Sequence, residues 1–372
     1  MSNNSDSKNN IYQLIRPHLL EIKTYDPVQP PEMLAKQAGI AEENVIKLNG
    51  NENPFGCSQE ALDAISKTPF HVYPDPLQYN MRNTIADYAN TNIDNVIVGA
   101  GSDELIDLLF RLFVSPGDSI IDSDPTFGMY GFCARVAGAE TIMVPRNENF
   151  DINIDEINKA ALNPKAKIIF VSSPNNPTGN IVSESEVRDL LETGLLVVID
   201  EAYYEFANST VSNLIQEYEN LVILRTMSKW AGLAGLRIGY GIMSKRLVKH
   251  LIDIKPPYSV NVAAEAALIA SLHDAETLIE RVSKIIEERN RMFGMINNIP
   301  GIKAWPSFGN FILCGFNSGM AKKVYDGLCN KGIFVRRFGT DRLKDTFRIT
   351  VGNSSETDTA IKAIRSLMAQ LS

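Results

Sequence analysis

The 372-residue chain contains few cysteines and few histidines, and this scarcity excludes several kinds of active site. Its four cysteines lie far apart and form no Cys-x-x-Cys pair, which favours free thiols in a reducing compartment. Its four histidines show no metal-ligand spacing, so we expect neither a metal site nor a histidine-based catalytic triad. The chemistry must therefore depend on other residue types.

The chain also lacks long apolar runs and an excess of positive charge. No run approaches the roughly 20 apolar residues of a membrane span, and the polar segment 1–10 lacks the apolar core of a signal peptide. A net charge of −8 argues against nucleic acid as the main partner. We therefore expect a cytoplasmic protein that acts on small molecules, without a membrane or nucleic-acid partner.

Apolar segments of strand length alternate with helix-like segments from about residue 95 onward. A chain of this length with 44% hydrophobic residues can bury a large core and divide into two domains. Short apolar strands separated by helices predict an α/β fold, with a mostly parallel sheet between helices. The predicted strands lie near 96–98, 119–121, 140–144, 167–171, 195–200, 221–226 and 238–242.

The last third of the chain has a different pattern. A long helical pattern runs from residue 261 to about 296, with an interruption near His273. Further strands near 310–315, 332–336 and 346–351 then alternate with helices near 319–330 and 355–369. This arrangement predicts a second, smaller α+β domain.

Reactive side chains follow three of the predicted strands. Lys229 lies in the segment Thr-Met-Ser-Lys-Trp-Ala-Gly-Leu-Ala-Gly-Leu-Arg (226–237), directly after an apolar strand. Burial penalises the charge of a lysine there and makes its amine a nucleophile towards aldehydes. Asp200 ends another strand with Tyr203 three residues later, and Asn176 lies in Ser-Pro-Asn-Asn-Pro-Thr-Gly (173–179) after a third.

Together these segments resemble the pyridoxal 5′-phosphate (PLP) site of fold-type I aminotransferases of class II. Further motifs are similar to those of histidinol-phosphate aminotransferases, and the resemblance runs from about Ile15 to the C-terminus. It implies a large domain with a seven-stranded, mostly parallel sheet, and a smaller α+β domain. The implied division is 46–274 for the large domain, and 1–45 with 275–372 for the N-terminal arm and small domain.

The resemblance also implies roles for the reactive residues. Lys229 binds PLP covalently and moves a proton during catalysis, Asp200 faces the pyridine nitrogen, and Tyr203 and Asn176 contact the phenolic oxygen. Phe127 stacks on the cofactor ring. The remaining implied cofactor contacts, mostly at the phosphate, come from Gly101, Ser102, Asp103, Ser228, Arg237 and, from a neighbouring subunit, Tyr73 in His-Val-Tyr-Pro-Asp-Pro (71–76).

On the substrate side, the resemblance implies Tyr25, Asn51, Tyr258, Arg336 and Arg348, with Tyr258 coming from the partner subunit. Arg348 lies in Phe-Arg-Ile-Thr-Val-Gly (347–352) and is the stronger candidate for an anion-binding arginine. The implied molecule is a homodimer with shared active sites. The implied reaction transfers an amino group between L-histidinol phosphate and 2-oxoglutarate in histidine biosynthesis, giving imidazole acetol phosphate and glutamate.

The residues leave other enzymes open. An aromatic-amino-acid aminotransferase, or a PLP enzyme resembling threonine-phosphate decarboxylases, would use the same lysine. A more remote alternative is an NAD(P)-dependent dehydrogenase, because Gly-Ala-Gly (99–101) with Asp122 mimics a dinucleotide fingerprint, although Glu104 replaces its third glycine. A PLP-sensing regulator is disfavoured, since no basic helix-turn-helix segment precedes residue 95.

Overall fold

The computed structural model describes residues 11–371, which form 13 α-helices, 12 β-strands and two sheets. The strands are β1 (Ile46–Leu48), β2 (Val96–Gly99), β3 (Ser119–Asp124), β4 (Glu140–Pro145), β5 (Ala166–Ser172), β6 (Leu196–Asp200), β7 (Leu221–Thr226), β8 (Gly239–Met243), β9 (Ile302–Ala304), β10 (Phe311–Phe316), β11 (Ile333–Arg337) and β12 (Thr346–Thr350). The helices are α1 (Pro31–Ala38), α2 (Gln59–Ser66), α3 (Tyr79–Tyr88), α4 (Ser102–Phe113), α5 (Met129–Ala137), α6 (Ile154–Ala161), α7 (Glu184–Leu191), α8 (Tyr204–Ala207), α9 (Lys245–Ile254), α10 (Val262–His273), α11 (Ala275–Asn297), α12 (Met320–Cys329) and α13 (Ser354–Leu371).

The larger sheet has seven strands in the order β2-β8-β7-β6-β5-β3-β4. The five strands from β7 to β4 are parallel, whereas β8 is antiparallel to both of its neighbours. This confirms the predicted α/β class with a mostly parallel seven-stranded sheet.

Helices cover both faces of this sheet, which explains why its strands are apolar throughout. In β6, Val197 and Ile199 belong to one buried cluster, while Leu196 and Val198 belong to another on the opposite face. Side chains alternate between the two faces of a strand, so a strand covered on both sides needs an apolar residue at every position.

The smaller sheet has five strands in the order β1-β11-β12-β10-β9, and only the β1–β11 pair is parallel. Strand β1 lies at the start of the predicted central unit 46–274, yet it pairs with β11 near the C-terminus. The chain therefore leaves the smaller sheet after β1, forms α2 and α3, and joins the larger sheet at β2.

The parallel strands β5, β6 and β7 end side by side, at Ser172, Asp200 and Thr226. Helix α4 begins at Ser102, and the last residue of β2, Gly99, pairs with the first residue of β8. In open α/β sheets the carboxyl ends of parallel strands are the usual place for a ligand, because the connecting loops diverge there.

Two further findings concern the whole described part of the chain. No helix within residues 11–371 is long and apolar enough to cross a membrane. The same residues contain no cluster of three or more histidine, cysteine or acidic side chains arranged to hold a metal ion.

Candidate active site

A cleft of about 760 Å³ lies at the carboxyl ends of the parallel strands and receives residues from both sheets. It brings together most of the site residues that were predicted from the sequence. The predicted residues that line it are Tyr25, Asn51, Ser102, Asp103, Phe127, Asn176, Asp200, Tyr203, Ser228, Lys229, Arg237, Arg336 and Arg348. Gly101 lies one residue before Ser102, while Tyr73 and Tyr258 do not line the cleft.

Lys229 enters the cleft from the loop that follows β7. Its Nζ donates a hydrogen bond to the carbonyl oxygen of Gly50 at 3.0 Å. The next residue, Trp230, is fully buried, and its carbonyl oxygen accepts a 2.8 Å hydrogen bond from the side chain of Asn53. Burial, together with the positive charge of Arg348, lowers the pKa of the Lys229 amine to about 8. A larger share of this lysine is therefore neutral and nucleophilic near physiological pH than for a lysine in water.

Asp200 presents a buried carboxylate at the end of β6. Its Oδ2 accepts a hydrogen bond from the Tyr130 hydroxyl at 2.6 Å, and its Oδ1 accepts one from the Ala202 backbone N–H at 3.1 Å. Burial raises the pKa of Asp200 to about 6, although both hydrogen bonds oppose this rise. A carboxylate held in this way is a strong acceptor for a proton carried by a ligand.

A hydrogen-bonded group of side chains forms another wall of the cleft. The Tyr203 hydroxyl accepts from the Asn51 amide at 2.8 Å, and burial raises the pKa of Tyr203 to about 12. Arg348 donates from Nη1 to Asn176 Oδ1 at 2.5 Å and from Nη2 to the Asn49 carbonyl at 2.7 Å. The Arg348 Nε is buried and has no hydrogen-bond partner among residues 11–371. Burial lowers the pKa of this guanidinium to about 10.

The N-terminus of α4 and the loop after β7 meet at one end of the cleft. Gly101 precedes α4 with a φ of 79°, and a Cβ at this position would lie 2.7 Å from Nη2 of Arg237. Arg237 itself has a φ of 52° and pairs with Asp103 at 3.0 Å. Nearby, the Ser228 hydroxyl accepts a 2.9 Å hydrogen bond from Thr226. Backbone N–H groups at a helix N-terminus together with an arginine fork suit a phosphate group.

The dinucleotide alternative does not fit this geometry. A dinucleotide-binding strand of the predicted type belongs to a parallel βαβ unit, but β2 pairs antiparallel with β8. The Glu104 carboxylate turns back to the loop and accepts hydrogen bonds from the Ala100 N–H at 2.6 Å and from Ser259 at 2.8 Å. Asp122, the predicted acidic partner, is buried inside the sheet with only 3% of its surface exposed.

Comparisons with known proteins agree with this site. Residues 43–364 match the sequence profile of the family "Aminotransferase class I and II". The chain is 42% identical over 354 residues to histidinol-phosphate aminotransferase 1, chloroplastic, of Arabidopsis thaliana, covering 94% of this chain and 85% of the plant protein. It is 41% identical over 361 residues to the histidinol-phosphate aminotransferase of Roseiflexus castenholzii, covering 95% and 97% of the two chains.

A comparison with solved structures supports the same family. The crystal structure of histidinol-phosphate aminotransferase from Sinorhizobium meliloti, in complex with pyridoxal-5′-phosphate, superposes with a TM-score of 0.88. It is 26% identical to this protein, over 96% of this chain and 98% of that one. The chain belongs to the histidinol-phosphate aminotransferase family of class I and II aminotransferases.

Two predicted residues of this aminotransferase lie outside the cleft and contact each other instead. The rings of Tyr73 and Tyr258 stack with centroids 4.8 Å apart and an interplanar angle of 30°. Tyr73 is 79% exposed and Tyr258 is 49% exposed. Neither ring lines the cleft of this chain.

Tyr25 and Arg336 reach the cleft from the N-terminal arm and from β11. The Tyr25 ring lies edge-on to Phe127, with centroids 6.3 Å apart. Arg336 donates from Nη2 to the backbone carbonyl of Asp26 at 2.6 Å and pairs with the Asp26 carboxylate at 3.1 Å. The arm of the aminotransferase is thus fixed to the small sheet beside the pocket.

Sequence reasoning missed Tyr130, the side chain that holds Asp200. In the sequence it is one aromatic residue at the start of an amphipathic helix, and such a residue is usually a core residue. The only available signal was its spacing of three from Phe127, which lies just before α5 and meets the Tyr130 ring edge-on.

Proposed function

We propose that this aminotransferase uses PLP to transfer an amino group between L-histidinol phosphate and 2-oxoglutarate, as a step of histidine biosynthesis. The observation that carries the proposal is the pairing, in one cleft, of an amine with a lowered pKa at Lys229 and a buried carboxylate at Asp200. An aldehyde cofactor with a basic ring nitrogen needs these two groups, one to bind the aldehyde and one to keep the ring nitrogen protonated.

The residues of the cleft fit PLP in several respects. Because Gly101 has no Cβ, the Arg237 guanidinium can lie close to the backbone at the start of α4. The start of α4, Ser228 and Arg237 together offer donors for a phosphate. Tyr203 and Asn176 offer polar groups for the phenolic oxygen, and Phe127 offers an apolar ring. When bound, PLP supplies an electron sink for the charge that develops at the substrate α-carbon.

Lys229 and Asp200 then have distinct tasks. With a pKa of about 8, the free Lys229 amine would act as the base that takes the proton from the substrate α-carbon and as the acid that gives a proton back when the amino group is transferred. Asp200 would keep the ring nitrogen protonated, because two hydrogen bonds stabilise its negative charge in a buried setting. In the ligand-free protein, the Gly50 carbonyl holds the Lys229 amine inside the cleft.

Arg348 and Arg336 are the proposed groups for the anionic parts of the substrates. The two amino donors differ, because histidinol phosphate has a phosphate and no carboxylate, whereas glutamate has two carboxylates. An arginine fork binds both kinds of anion. Arg348 is buried with its Nε unpaired, and Arg336 borders the same cleft beside Tyr25, whose hydroxyl can donate a further hydrogen bond.

The proposal includes a homodimer with shared active sites. Large apolar side chains are exposed on the segment around Tyr73 and on the first helical turns of the described chain, and such patches are typical of protein interfaces. They are Ile11, Tyr12, Leu14, Phe70, Val72, Leu77 and Tyr79. In a dimer, the stacked Tyr73 and Tyr258 of one subunit can complete the cleft of the other. The acidic composition further supports a cytoplasmic location.

The test is the formation of glutamate from histidinol phosphate and 2-oxoglutarate by the PLP-loaded protein, with Lys229→Ala as the matched control. We expect turnover for the wild-type protein only. Release of CO2 from a phosphorylated amino acid without glutamate formation would instead assign the site to a decarboxylase. Faster turnover of phenylalanine or tyrosine than of histidinol phosphate would assign it to an aromatic aminotransferase.

A further inference from the structure

Tyr130 lies directly behind the functional carboxylate, on the side away from the cleft. Its hydroxyl donates to Asp200 Oδ2 at 2.6 Å, and its side chain is fully buried. Asp200 lines the cleft, whereas Tyr130 does not. The Tyr130 hydroxyl therefore meets the cleft through Asp200, whereas its ring meets the cleft through Phe127.

The Tyr130 ring is held on two sides. It stacks face to face on Phe170, with centroids 4.6 Å apart and an interplanar angle of 10°, and it meets Phe127 edge-on at 5.6 Å. This packing leaves the hydroxyl directed at Asp200. Among residues 11–371, the only other hydrogen-bond donor to this carboxylate is the Ala202 backbone N–H.

We propose that Tyr130 is a positioning residue that acts through Asp200: it orients the carboxylate and stabilises its negative charge, so that the ring proton of the bound cofactor meets an ionised acceptor. The role in cofactor binding rests on the proposed PLP function, but the coupling between Tyr130 and Asp200 does not. A tyrosine is suited to this task because its hydroxyl remains protonated and can only donate to an anion beside it.

The charges around Asp200 explain why a donor is needed. Burial raises the pKa of Asp200, and the negative charges of Asp103 on α4 and of the adjacent Glu201 raise it further. Tyr130 also faces Asp122 of β3, and burial together with the Asp200 charge raises the pKa of the Tyr130 hydroxyl well above its usual value. The Tyr130 hydroxyl is thus a side-chain donor that opposes these effects and favours the ionised form of Asp200.

The Tyr130→Phe variant isolates the hydroxyl, because it keeps the ring and its stacking. The first measurement is a pH titration of the Asp200 carboxyl by NMR, in ligand-free protein carrying ¹³C at aspartate carboxyl carbons. The Asp200 signal is identified by its loss in Asp200→Asn. We expect the midpoint to rise by about one to two pH units in Tyr130→Phe, because a hydrogen bond to a charged group is lost.

A matched control is Tyr240→Phe, which removes the hydroxyl of another fully buried tyrosine that does not contact Asp200. It should leave the Asp200 midpoint unchanged. Equal midpoints in Tyr130→Phe and wild type would overturn the proposal.

The second measurement is the affinity for PLP between pH 6 and pH 9. Tyr130→Phe should bind PLP about tenfold more weakly than the wild type near pH 6. This difference in affinity should shrink towards pH 9, where Asp200 is ionised in both proteins. A loss of equal size at every pH would mean that Tyr130 has only a packing role, and it would contradict the proposal. A wild-type protein that does not bind PLP would refute the proposed function, while the NMR titration would still decide the coupling.

Discussion

The two central residues of the site have pKa values shifted in the directions that burial imposes. Burial lowers the pKa of Lys229 to about 8 and raises that of Asp200 to about 6. Both shifts disfavour the charged form, so each residue reduces the stability of the ligand-free protein at neutral pH. Groups kept at such a cost are typical of functional sites.

We expect Lys229→Met to raise the free energy of unfolding of the ligand-free protein at pH 7 by about 1–3 kcal/mol. The folded protein binds the lysine proton more weakly than the unfolded chain does, so the cost of Lys229 is fully present below pH 8. It disappears as the pH rises from about 8 towards the ordinary lysine value of 10.5. Urea denaturation at pH 7 and pH 9.5 measures the free energy of unfolding of both proteins. The difference between variant and wild type should be smaller at pH 9.5.

The exposed Lys362 on α13 provides the control, since Lys362→Met should change stability little at either pH. A stabilisation by Lys229→Met that is equal at both pH values would show that the burial of charge at Lys229 is not its cause.

At the residue scale, the sequence predicted the groups that follow strands and missed the one that supports them. Lys229 and Asp200 were predictable because a charged residue after an apolar strand is unusual and needs a reason. The role of Tyr130 was not predictable, because it depends on a hydrogen bond to a residue 70 positions away in the sequence. Tertiary packing creates that contact, and no local sequence pattern predicts it.

At the element scale, the loop after β7 depends on one glycine. Gly232 has a φ of 70°, and a Cβ at this position would lie 2.2 Å from the backbone carbonyl oxygen of Gly56. Backbone atoms cannot move aside as a flexible side chain can. The close approach therefore fixes the Lys229 loop against the segment that follows β1.

We expect Gly232→Ala to destabilise the protein by about 2–4 kcal/mol, because it combines a left-handed conformation with a clash against backbone. Gly235→Ala in the same loop is the matched control, since it has open space around its Cβ position and should change stability by less than about 1 kcal/mol. Thermal unfolding of the two variants compares them directly. Equal stability of both variants would contradict the close packing of this loop.

Elements with long patterns were predictable, and the shortest were not. All seven strands of the large sheet appear within a few residues of their predicted positions, because each is an apolar run bounded by helical segments. The three-residue strands β1 and β9 have no readable pattern. Strand β1 forms through pairing with β11, which lies at residue 333 and beyond, so only the tertiary fold specifies it.

At the scale of the whole molecule, one subunit places two predicted site residues on its surface. Tyr73 and Tyr258 stack on each other away from the cleft, in a region with several exposed apolar side chains. The proposed homodimer would account for both features, because a two-fold interface brings a surface patch of each subunit to the other.

Subunit mixing tests this arrangement. Tyr73→Ala and Lys229→Ala should each give little activity alone, but mixed dimers should contain one site with both residues intact. Equal amounts of the two variants, unfolded and refolded together, should therefore recover roughly one quarter of wild-type activity. A mixture no more active than its components, or an active monomer in sedimentation, would place Tyr73 outside the partner's site.

The central claim is that the cleft recognises a phosphorylated amino donor through its arginines. The most direct measurement is the ratio of kcat/KM for histidinol phosphate and for histidinol in the wild-type enzyme. Loss of a charge-assisted contact costs about 2–4 kcal/mol, so we expect histidinol phosphate to be favoured by roughly 30- to 1,000-fold, and Arg336→Ala to remove much of this preference. Equal specificity constants for the two compounds would contradict the account and favour an aromatic aminotransferase.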